Sequence, residues 1–545
     1  MSRSPQPAPV PAPVQDVELG DAPVSPMTVN LVANSRVRIQ VSDRAYSRIS
    51  AARAVIDHVI ANNAPAYGVN RGLGPARDQE IPEELMTAFQ EYIIASHAAA
   101  VGEPLSPEET RSVIFTRIAV MSHGGSGASR ELFDGLIALL ERDVVPIIPA
   151  HGSVGSADLA QLAAIGAVLI GRGRAFGPGR CGSVSGAQAL AGAGLSPIRL
   201  QAKDGLALVG ANSASIGLSA ILHQRLEEVG FTADLVAGLT LEALAANLSP
   251  FSEAVIRARP MPGQIRSAAR IRAALEGGDL SRGGLPVQSL QDPLSIRTIP
   301  QVHGVFLEQV RALEDVLLIE LNSPSENPLI DAENQAIVSN GNFSILGLAM
   351  SLESIRVTIA HVAIMAERRI ATLVQSLRSG SSVVEHIRSA VSRTGYLAPV
   401  LLANTASALT ARIKHHANPV TIMGTTVGDG VEDHNSQAYY ANRFTLEALE
   451  SLEQLQAIEA MMAIELLERR RNTVVGEESR ILGGRISILQ SELATAFSSL
   501  GPQPTTNSAV GTIRTTLRDV GRALQNPVPA PMPSPVSGFE HDPLL

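Results

Sequence analysis

The side chains best suited to chemistry lie in short segments that are far apart along the chain. Tyr67 sits in the glycine-rich segment 67–74, and a phenol can act as a base when its phenolate is stabilised in place. Arg297 carries a planar guanidinium, which suits bidentate binding of a carboxylate. Ser156 lies in a run of glycine, serine and alanine before an apolar stretch. If the fold brings such residues together, they can remove a proton and bind a carboxylate.

Long helices must position these segments, because the sequence between them is overwhelmingly helical in pattern. Leucine and isoleucine recur at helical spacing from Leu446 to Ile458, with glutamates between them. Glycine and proline cluster between the helical stretches, and the chemically interesting residues fall in these clusters. The pattern predicts a mainly α fold with a central bundle of long helices. The helical stretches lie at about 45–62, 131–144, 303–321, 344–375 and 384–416.

Composition argues against several classes of partner. The chain has 545 residues, 45% of them hydrophobic, and a net charge of −9 without a block of Lys or Arg, which predicts no nucleic-acid surface. The twelve histidines lack metal-ligand spacing, and His415-His416 is more typical of a solvated helix face than of a metal site. The single cysteine, Cys181, excludes an intrachain disulfide and fits a reducing compartment.

Both ends of the chain are rich in proline. We expect disordered tails at residues 1–30 and 526–545, flanking one helical domain at 31–525. The N-terminus lacks the features of a signal peptide, and no segment is predicted to cross a membrane, Leu159 to Ile170 being the nearest candidate. A cytoplasmic protein without a membrane partner is therefore expected.

The segment from His151 to Leu162 closely resembles the signature of the histidine/phenylalanine/tyrosine ammonia-lyase family. In that family an Ala-Ser-Gly triad cyclises and dehydrates to the electrophile methylidene-imidazolone (MIO). Here one residue is missing ahead of the serine, and Ala157 stands where the family has glycine. The triad therefore reads Gly155-Ser156-Ala157. A Cβ and a shortened loop make the strained backbone needed for cyclisation costly, so MIO is a doubtful cofactor here.

Further segments match the family where it handles its substrate. Tyr67 aligns with the family's base, and Arg71 replaces a threonine in the same loop, where it would supply positive charge or bind a carboxylate. Ser96-His97 is similar to the pair in histidine-specific members, which implies recognition of an imidazole-type ring by His97. Glu432 resembles the glutamate that faces the imidazole in those members, and Arg297 aligns with a retained arginine.

Other matches extend from the first of these segments to about Arg443. Glu320-Leu-Asn-Ser and Asn327-Pro-Leu resemble family motifs, while two positions beside the MIO depart from them: Gly210 replaces an asparagine and Leu294 a tyrosine. Asn212 lies two positions beyond Gly210. The resemblance implies a homotetramer of ammonia-lyase/fumarase-like architecture acting on a small amino acid. The predicted catalytic residues are Tyr67, Ser156 and Glu432, and the predicted substrate-binding residues are Arg71, His97, Asn212, Arg297 and Asn327.

The departures fall on positions that build or hold the MIO, whereas the substrate-handling positions are kept. A quaternary trimethylammonium is already a good leaving group and has no lone pair with which to attack an MIO. We therefore expect a carbon–nitrogen lyase that needs no cofactor and acts on an ergothioneine-like betaine, as ergothionase-type lyases do, giving thiolurocanate and trimethylamine. The alternatives are an MIO-dependent histidine ammonia-lyase, a related aminomutase, and a non-catalytic family member.

Overall fold

The computed structural model describes residues 14–284, 289–379, 400–473, 481–500 and 504–525. Helices dominate these ranges, so the prediction of a mainly α fold is confirmed. The predicted tail at 526–545, residues 1–13, and the predicted helical residues 384–399 lie outside the described ranges.

The helices of the described residues vary from one turn to more than thirty residues. In chain order they are α1 (Pro26–Asn34), α2 (Asp43–Ala61), α3 (Met86–His97), α4 (Pro107–Met121), α5 (Arg130–Glu141), α6 (Leu159–Leu169), α7 (Gly186–Gly192), α8 (Asp204–Val209), α9 (Ser213–Leu244), α10 (Glu253–Ala258), α11 (Pro262–Leu275), α12 (Leu294–Arg297), α13 (Ile299–Leu321), α14 (Leu346–Arg378), α15 (Leu402–His416), α16 (Ala438–Thr473), α17 (Gly484–Ser499) and α18 (Thr506–Leu524).

Short strands pair two by two at the periphery. The first pair is parallel and the other three are antiparallel. They are β1 (Gln15–Leu19) with β2 (Val37–Val41), β3 (Val101–Pro104) with β4 (Pro149–His151), β5 (Arg174–Phe176) with β6 (Ser183–Ser185), and β7 (Leu329–Asp331) with β8 (Ala336–Val338).

The core is a bundle in which α16 packs along both α14 and α9, with α13 beside them. Helix α9 is buried on nearly every face, which its apolar and small residues permit. A Cβ at Gly217 would lie 2.8 Å from the carbonyl oxygen of Ser112, so glycine allows α4 to pack closely here. In α16 the predicted stripe is confirmed, since Leu449, Leu452 and Ile458 are fully buried. The bundle gives the loops at its ends a rigid support.

The expected N-terminal tail is too long. Strand β1 pairs in register with β2 and buries Val17 and Leu19. Helix α1 then begins at Pro26, where the Ser25 side chain caps the first turn. Burial of Val17 and Leu19 and the cap at Ser25 therefore order residues that the proline content alone predicts to be a disordered tail.

The expectation that no segment could cross a membrane also needs correction. Two helical stretches are long and apolar enough by length and composition, Asp204–Leu244 and Leu346–Arg378. Their most apolar windows are 89% and 61% buried within the protein, as is common for core helices. The first stretch contains polar residues such as Asn212, and Glu353 and Arg356 lie within the second, which conceals the length of both in the sequence. A cytoplasmic location stays a prediction.

Candidate active site

A cavity of about 640 Å³ lies where loops meet the ends of the bundle helices. It brings together five of the predicted site residues, which come from five separate segments of the chain. These are Tyr67, His97, Ser156, Asn327 and Glu432.

The loop that carries Tyr67 folds back over its own side chain. The N–H of Gly74 donates a hydrogen bond of 3.1 Å to the phenol oxygen of Tyr67. Gly74 has a φ of +51°, which glycine adopts at little cost. At Gly72 a Cβ would lie 2.4 Å from the carbonyl oxygen of Ala76, so the tight return of the chain requires glycine there. The loop thereby gives a phenolate at Tyr67 a hydrogen-bond donor.

His97 and Glu432 form the polar end of the cavity. The Nδ1 of His97 lies 2.8 Å from the carbonyl oxygen of Ile93, which can only accept, so Nδ1 carries the proton. The Nε2 atom of neutral His97 is then an acceptor. Burial raises the pKa of the Glu432 carboxyl, and the neighbouring His97 acts in the opposite direction. This end can therefore accept hydrogen bonds from a ring with N–H groups.

The triad loop is held by hydrogen bonds on both sides of Ser156. The carbonyl oxygen of Gly155 accepts a bond of 2.9 Å from the Ser436 hydroxyl. The N–H of Ala157 donates a bond of 3.2 Å to the Asn212 side chain, and Ser156 itself donates to the carbonyl oxygen of His434 at 3.3 Å. Ala157 has a φ of +76°, a conformation that costs a residue with a Cβ roughly 1 kcal/mol or more.

A buried carboxylate anchors this loop to the bundle. Asp158 accepts hydrogen bonds from the hydroxyls of Ser153 (2.7 Å) and Ser215 (2.9 Å), and from the Ser215 N–H (2.7 Å). Burial raises the pKa of Asp158, whereas these hydrogen bonds lower it. Because Ser215 lies in the first turn of α9, the triad loop is fixed to the end of that helix.

Three predicted substrate-binding residues do not line this cavity. Both polar atoms of the Asn212 amide are hydrogen-bonded to the protein. Its Oδ1 accepts from the N–H of Ala157, and its Nδ2 donates to the carbonyl oxygen of Phe343 at 2.6 Å. Its role as a substrate ligand is therefore corrected to an anchor of the triad loop. Arg71 binds within its own loop, and Arg297 lies on α12 outside the cavity.

The cavity also contains aromatic side chains that no motif had assigned. Phe89 lies on α3 eight residues, or about two helical turns, before His97, so helical spacing is the signal that identifies it. Tyr92 lies five residues before His97, and that spacing does not predict its place in the cavity. Phe343 follows the Asn340-Gly-Asn motif. Together with Tyr67 they give the cavity four aromatic rings, while none of the described lining residues is a lysine or an arginine.

Comparison with known proteins identifies the family. The sequence profile of the aromatic amino acid lyase family matches residues 24–484. The chain belongs to that family. The prediction of a carbon–nitrogen lyase of the ammonia-lyase type is thereby confirmed.

Named relatives of this aromatic amino acid lyase include histidine ammonia-lyases. Those of Burkholderia vietnamiensis and Anaeromyxobacter sp. are 35% and 36% identical over 413 and 421 residues, covering 76% of this chain and 80% and 82% of their own. The histidine ammonia-lyase of Trypanosoma cruzi has a TM-score of 0.80 at 26% identity, over 94% of this chain and 95% of its own.

A second solved structure shares the fold at lower sequence identity. Ergothionase of Treponema denticola, described as an ergothioneine-degrading enzyme, has a TM-score of 0.84 at 24% identity, over 93% of this chain and 99% of its own. This likeness supports the bundle architecture. The motif residues near the cavity are the ones that bear on the reaction.

Proposed function

We propose that this protein eliminates a tertiary amine from an imidazole-bearing betaine without MIO, converting an ergothioneine-like substrate to thiolurocanate and trimethylamine. The observation that carries the proposal is the state of the triad loop. Ala157 carries a Cβ where the family has glycine, the loop is one residue shorter, and the family positions that support MIO hold different residues.

The residues present do not fit the MIO group. Cyclisation joins the nitrogen of Ala157 to the carbonyl carbon of Gly155, and the Cβ of Ala157 makes the strained backbone of that closure costly. A Cβ at Gly155, where the family has alanine, would lie 2.7 Å from the backbone nitrogen of Gln437. Gly210 lines the cavity without a side chain, and Leu294 is 61% exposed and outside the cavity. We therefore derive no step of the reaction through that group, and Ser156 acts as a hydroxyl of the cavity wall.

The lining of the cavity suits a permanent cation. Aromatic faces attract quaternary ammonium groups, and a cavity without lysine or arginine does not repel them. The described lining residues supply four aromatic rings and the Glu432 carboxyl. A trimethylammonium group therefore meets a favourable environment here.

The elimination balances with Tyr67 as the base. Its phenolate takes a proton from Cβ of the substrate, and the electrons of that C–H bond form the Cα–Cβ double bond. The Cα–N bond breaks, and its electron pair leaves with neutral trimethylamine. The Gly74 N–H holds the phenol oxygen in place. Because the leaving group departs uncharged, no electrophile has to activate it.

His97 and Glu432 are suited to the ring of the substrate. A 2-thioimidazole ring in its thione form has two N–H donors, whereas neutral imidazole has one donor and one acceptor. The Nε2 of neutral His97 and the carboxylate of Glu432 are both acceptors, and both line the same cavity. Two acceptors match the thione ring better than neutral imidazole.

We propose that Arg297 of a second copy binds the substrate carboxylate in a homotetramer. The described cavity lining of one chain contains no cationic partner for a carboxylate. The Nε atom of Arg297 is buried and has no hydrogen-bond partner among the described residues. Because Arg297 lies outside the cavity of its own chain, it can bind the substrate carboxylate only in the cavity of a second copy.

A second candidate is MIO-dependent deamination of histidine. The relatives named histidine ammonia-lyase support it, as do Ser96-His97 and Glu432. For this function Gly155-Ser156-Ala157 would have to cyclise despite the Cβ of Ala157.

Parallel assays with ergothioneine and histidine test the proposal. Each elimination extends the conjugation of the ring, so ultraviolet absorbance reports both products directly. We expect turnover of ergothioneine with release of one trimethylamine per product, and little or no formation of urocanate. Efficient urocanate formation without turnover of ergothioneine would establish the second candidate instead.

A further inference from the structure

We infer that Arg71 is a positioning residue, which holds the Tyr67 loop so that the Gly74 N–H meets the phenol oxygen. This inference rests on the proposed role of Tyr67 as the base. It replaces the expectation that Arg71 binds a substrate carboxylate. Neither Arg71 nor its ion-pair partner lines the described cavity.

The backbone of Arg71 connects the two ends of the loop. It forms one bridge with Tyr67 and another with Glu80, and its carbonyl oxygen accepts a hydrogen bond of 3.1 Å from the N–H of Gly68. Beside it, the N–H of Gly72 donates to the carbonyl oxygen of Gln79 at 3.0 Å. Residues 72–79 therefore form a lobe whose base is closed at Arg71, and the lobe presents Gly74 to Tyr67.

The side chain of Arg71 reinforces the same base. Its Nη1 donates a hydrogen bond of 2.9 Å to the carbonyl oxygen of Asn70, and its Nη2 lies 3.8 Å from the Glu80 carboxylate. The N–H of Ile81 donates to that same Asn70 oxygen at 3.0 Å. The Arg71 side chain is only 19% exposed although it does not line the cavity. The guanidinium thus connects the segment that enters the lobe, at Asn70, to the segment that leaves it, at Glu80.

The consequence for catalysis passes through one hydrogen bond. If the base of the lobe loosens, the Gly74 N–H moves away from the Tyr67 oxygen, and the phenolate loses its donor. The rate of proton removal then falls while the substrate continues to bind. A carboxylate ligand would behave differently, because its loss weakens binding of the substrate.

The test measures steady-state kinetics and hydrogen exchange of the Gly74 amide in Arg71→Gln, Glu80→Gln and Arg71→Lys. We expect Arg71→Gln to lower kcat about tenfold with KM nearly unchanged, and to speed exchange at Gly74. Glu80→Gln, which removes an exposed ion pair, should shift both readouts in the same direction by about two- to fivefold. Arg71→Lys keeps the charge and should fall between Arg71→Gln and the unmodified protein. Asp78→Asn is the matched control, because its side chain is 93% exposed on the same lobe.

Two results would overturn the inference. One is a raised KM in Arg71→Gln with unchanged exchange at Gly74 and a silent Glu80→Gln, which would restore the carboxylate role. The other is unchanged kcat and unchanged exchange in every variant. Hydrogen exchange needs no substrate, so it tests the lobe even if the proposed reaction fails. Thermal unfolding of each variant separates local loosening from loss of the fold.

Discussion

The two halves of the cavity have diverged to different degrees. The half that contains Tyr67, His97 and Glu432 keeps the residue types of a histidine-type lyase, and its loops hold these side chains at the cavity. The half that contains Gly155-Ser156-Ala157 has lost a residue of the loop, and Gly210 has no side chain to offer. Under the proposed function, substrate handling is separable from electrophile formation, and a substrate with its own good leaving group requires only the first.

Tyr67→Phe should lower activity more than any other substitution in the half of the cavity that contains Tyr67, His97 and Glu432. The substitution removes only the phenol oxygen, which accepts from the Gly74 N–H, so folding should be preserved. We expect kcat to fall about 10²–10⁴-fold, as for loss of a general base. Turnover close to that of the unmodified protein would show that Tyr67 is not the base. The residue types kept at the cavity would then not indicate the reaction.

Arg297→Lys tests whether a second copy supplies the group that binds the substrate carboxylate. Lysine keeps the charge but lacks the planar fork, so KM should rise roughly ten- to a hundredfold. Arg71→Lys is the matched comparison, since Arg71 lies outside the cavity as well. A silent Arg297→Lys together with a raised KM in Arg71→Lys would move the carboxylate role to Arg71.

Glu432→Gln should have a smaller effect that depends on pH. Burial raises the pKa of Glu432 above its ordinary value of 4.5, so the ionised acceptor is lost as the pH falls through a window above 4.5. We expect an acidic limb of kcat/KM in that window, and a roughly three- to tenfold lower plateau without this limb in Glu432→Gln. An unchanged acidic limb in the variant would assign the titration to another group.

Ser156→Ala should have the smallest effect, and it probes the diverged half. The Ser156 hydroxyl makes one long hydrogen bond, to the carbonyl oxygen of His434. Without MIO its removal should change kcat by no more than about threefold, the value of a weak hydrogen bond. Complete loss of turnover would mean that the triad serine builds the electrophile.

Sequence patterns predicted the amphipathic elements, and five of the eight predicted site residues line the cavity. The stripe on α16 is confirmed because Leu449, Leu452 and Ile458 are buried, although Glu453 and Glu459 on the same helix are buried as well and pair with arginines. Helix α9 was not among the predicted stretches, since burial on nearly all sides removes the alternation of apolar and polar faces. Residues 15–19 are ordered by pairing with β2 and residues 26–30 by helix α1, features that a proline-rich composition conceals.

The hydrogen-bond partners of the site residues could not be predicted from the sequence. Asn212 was expected to meet the substrate, but the structure uses both ends of its amide to hold Ala157 and Phe343. The Ser436 hydroxyl binds Gly155 from a segment 281 positions away, and no local pattern predicts such a contact. Motifs therefore indicated which residues meet at the cavity, whereas the fold decides which of them are already engaged with the protein.

The intact mass of the purified protein decides whether the triad forms MIO. Formation of MIO removes two waters from Gly155-Ser156-Ala157, and a peptide spanning the triad localises the change. We expect the mass calculated from the unmodified sequence, measured on a preparation that turns over ergothioneine. A mass two waters lower, located in that peptide, would rule out elimination without MIO and establish an MIO-dependent lyase.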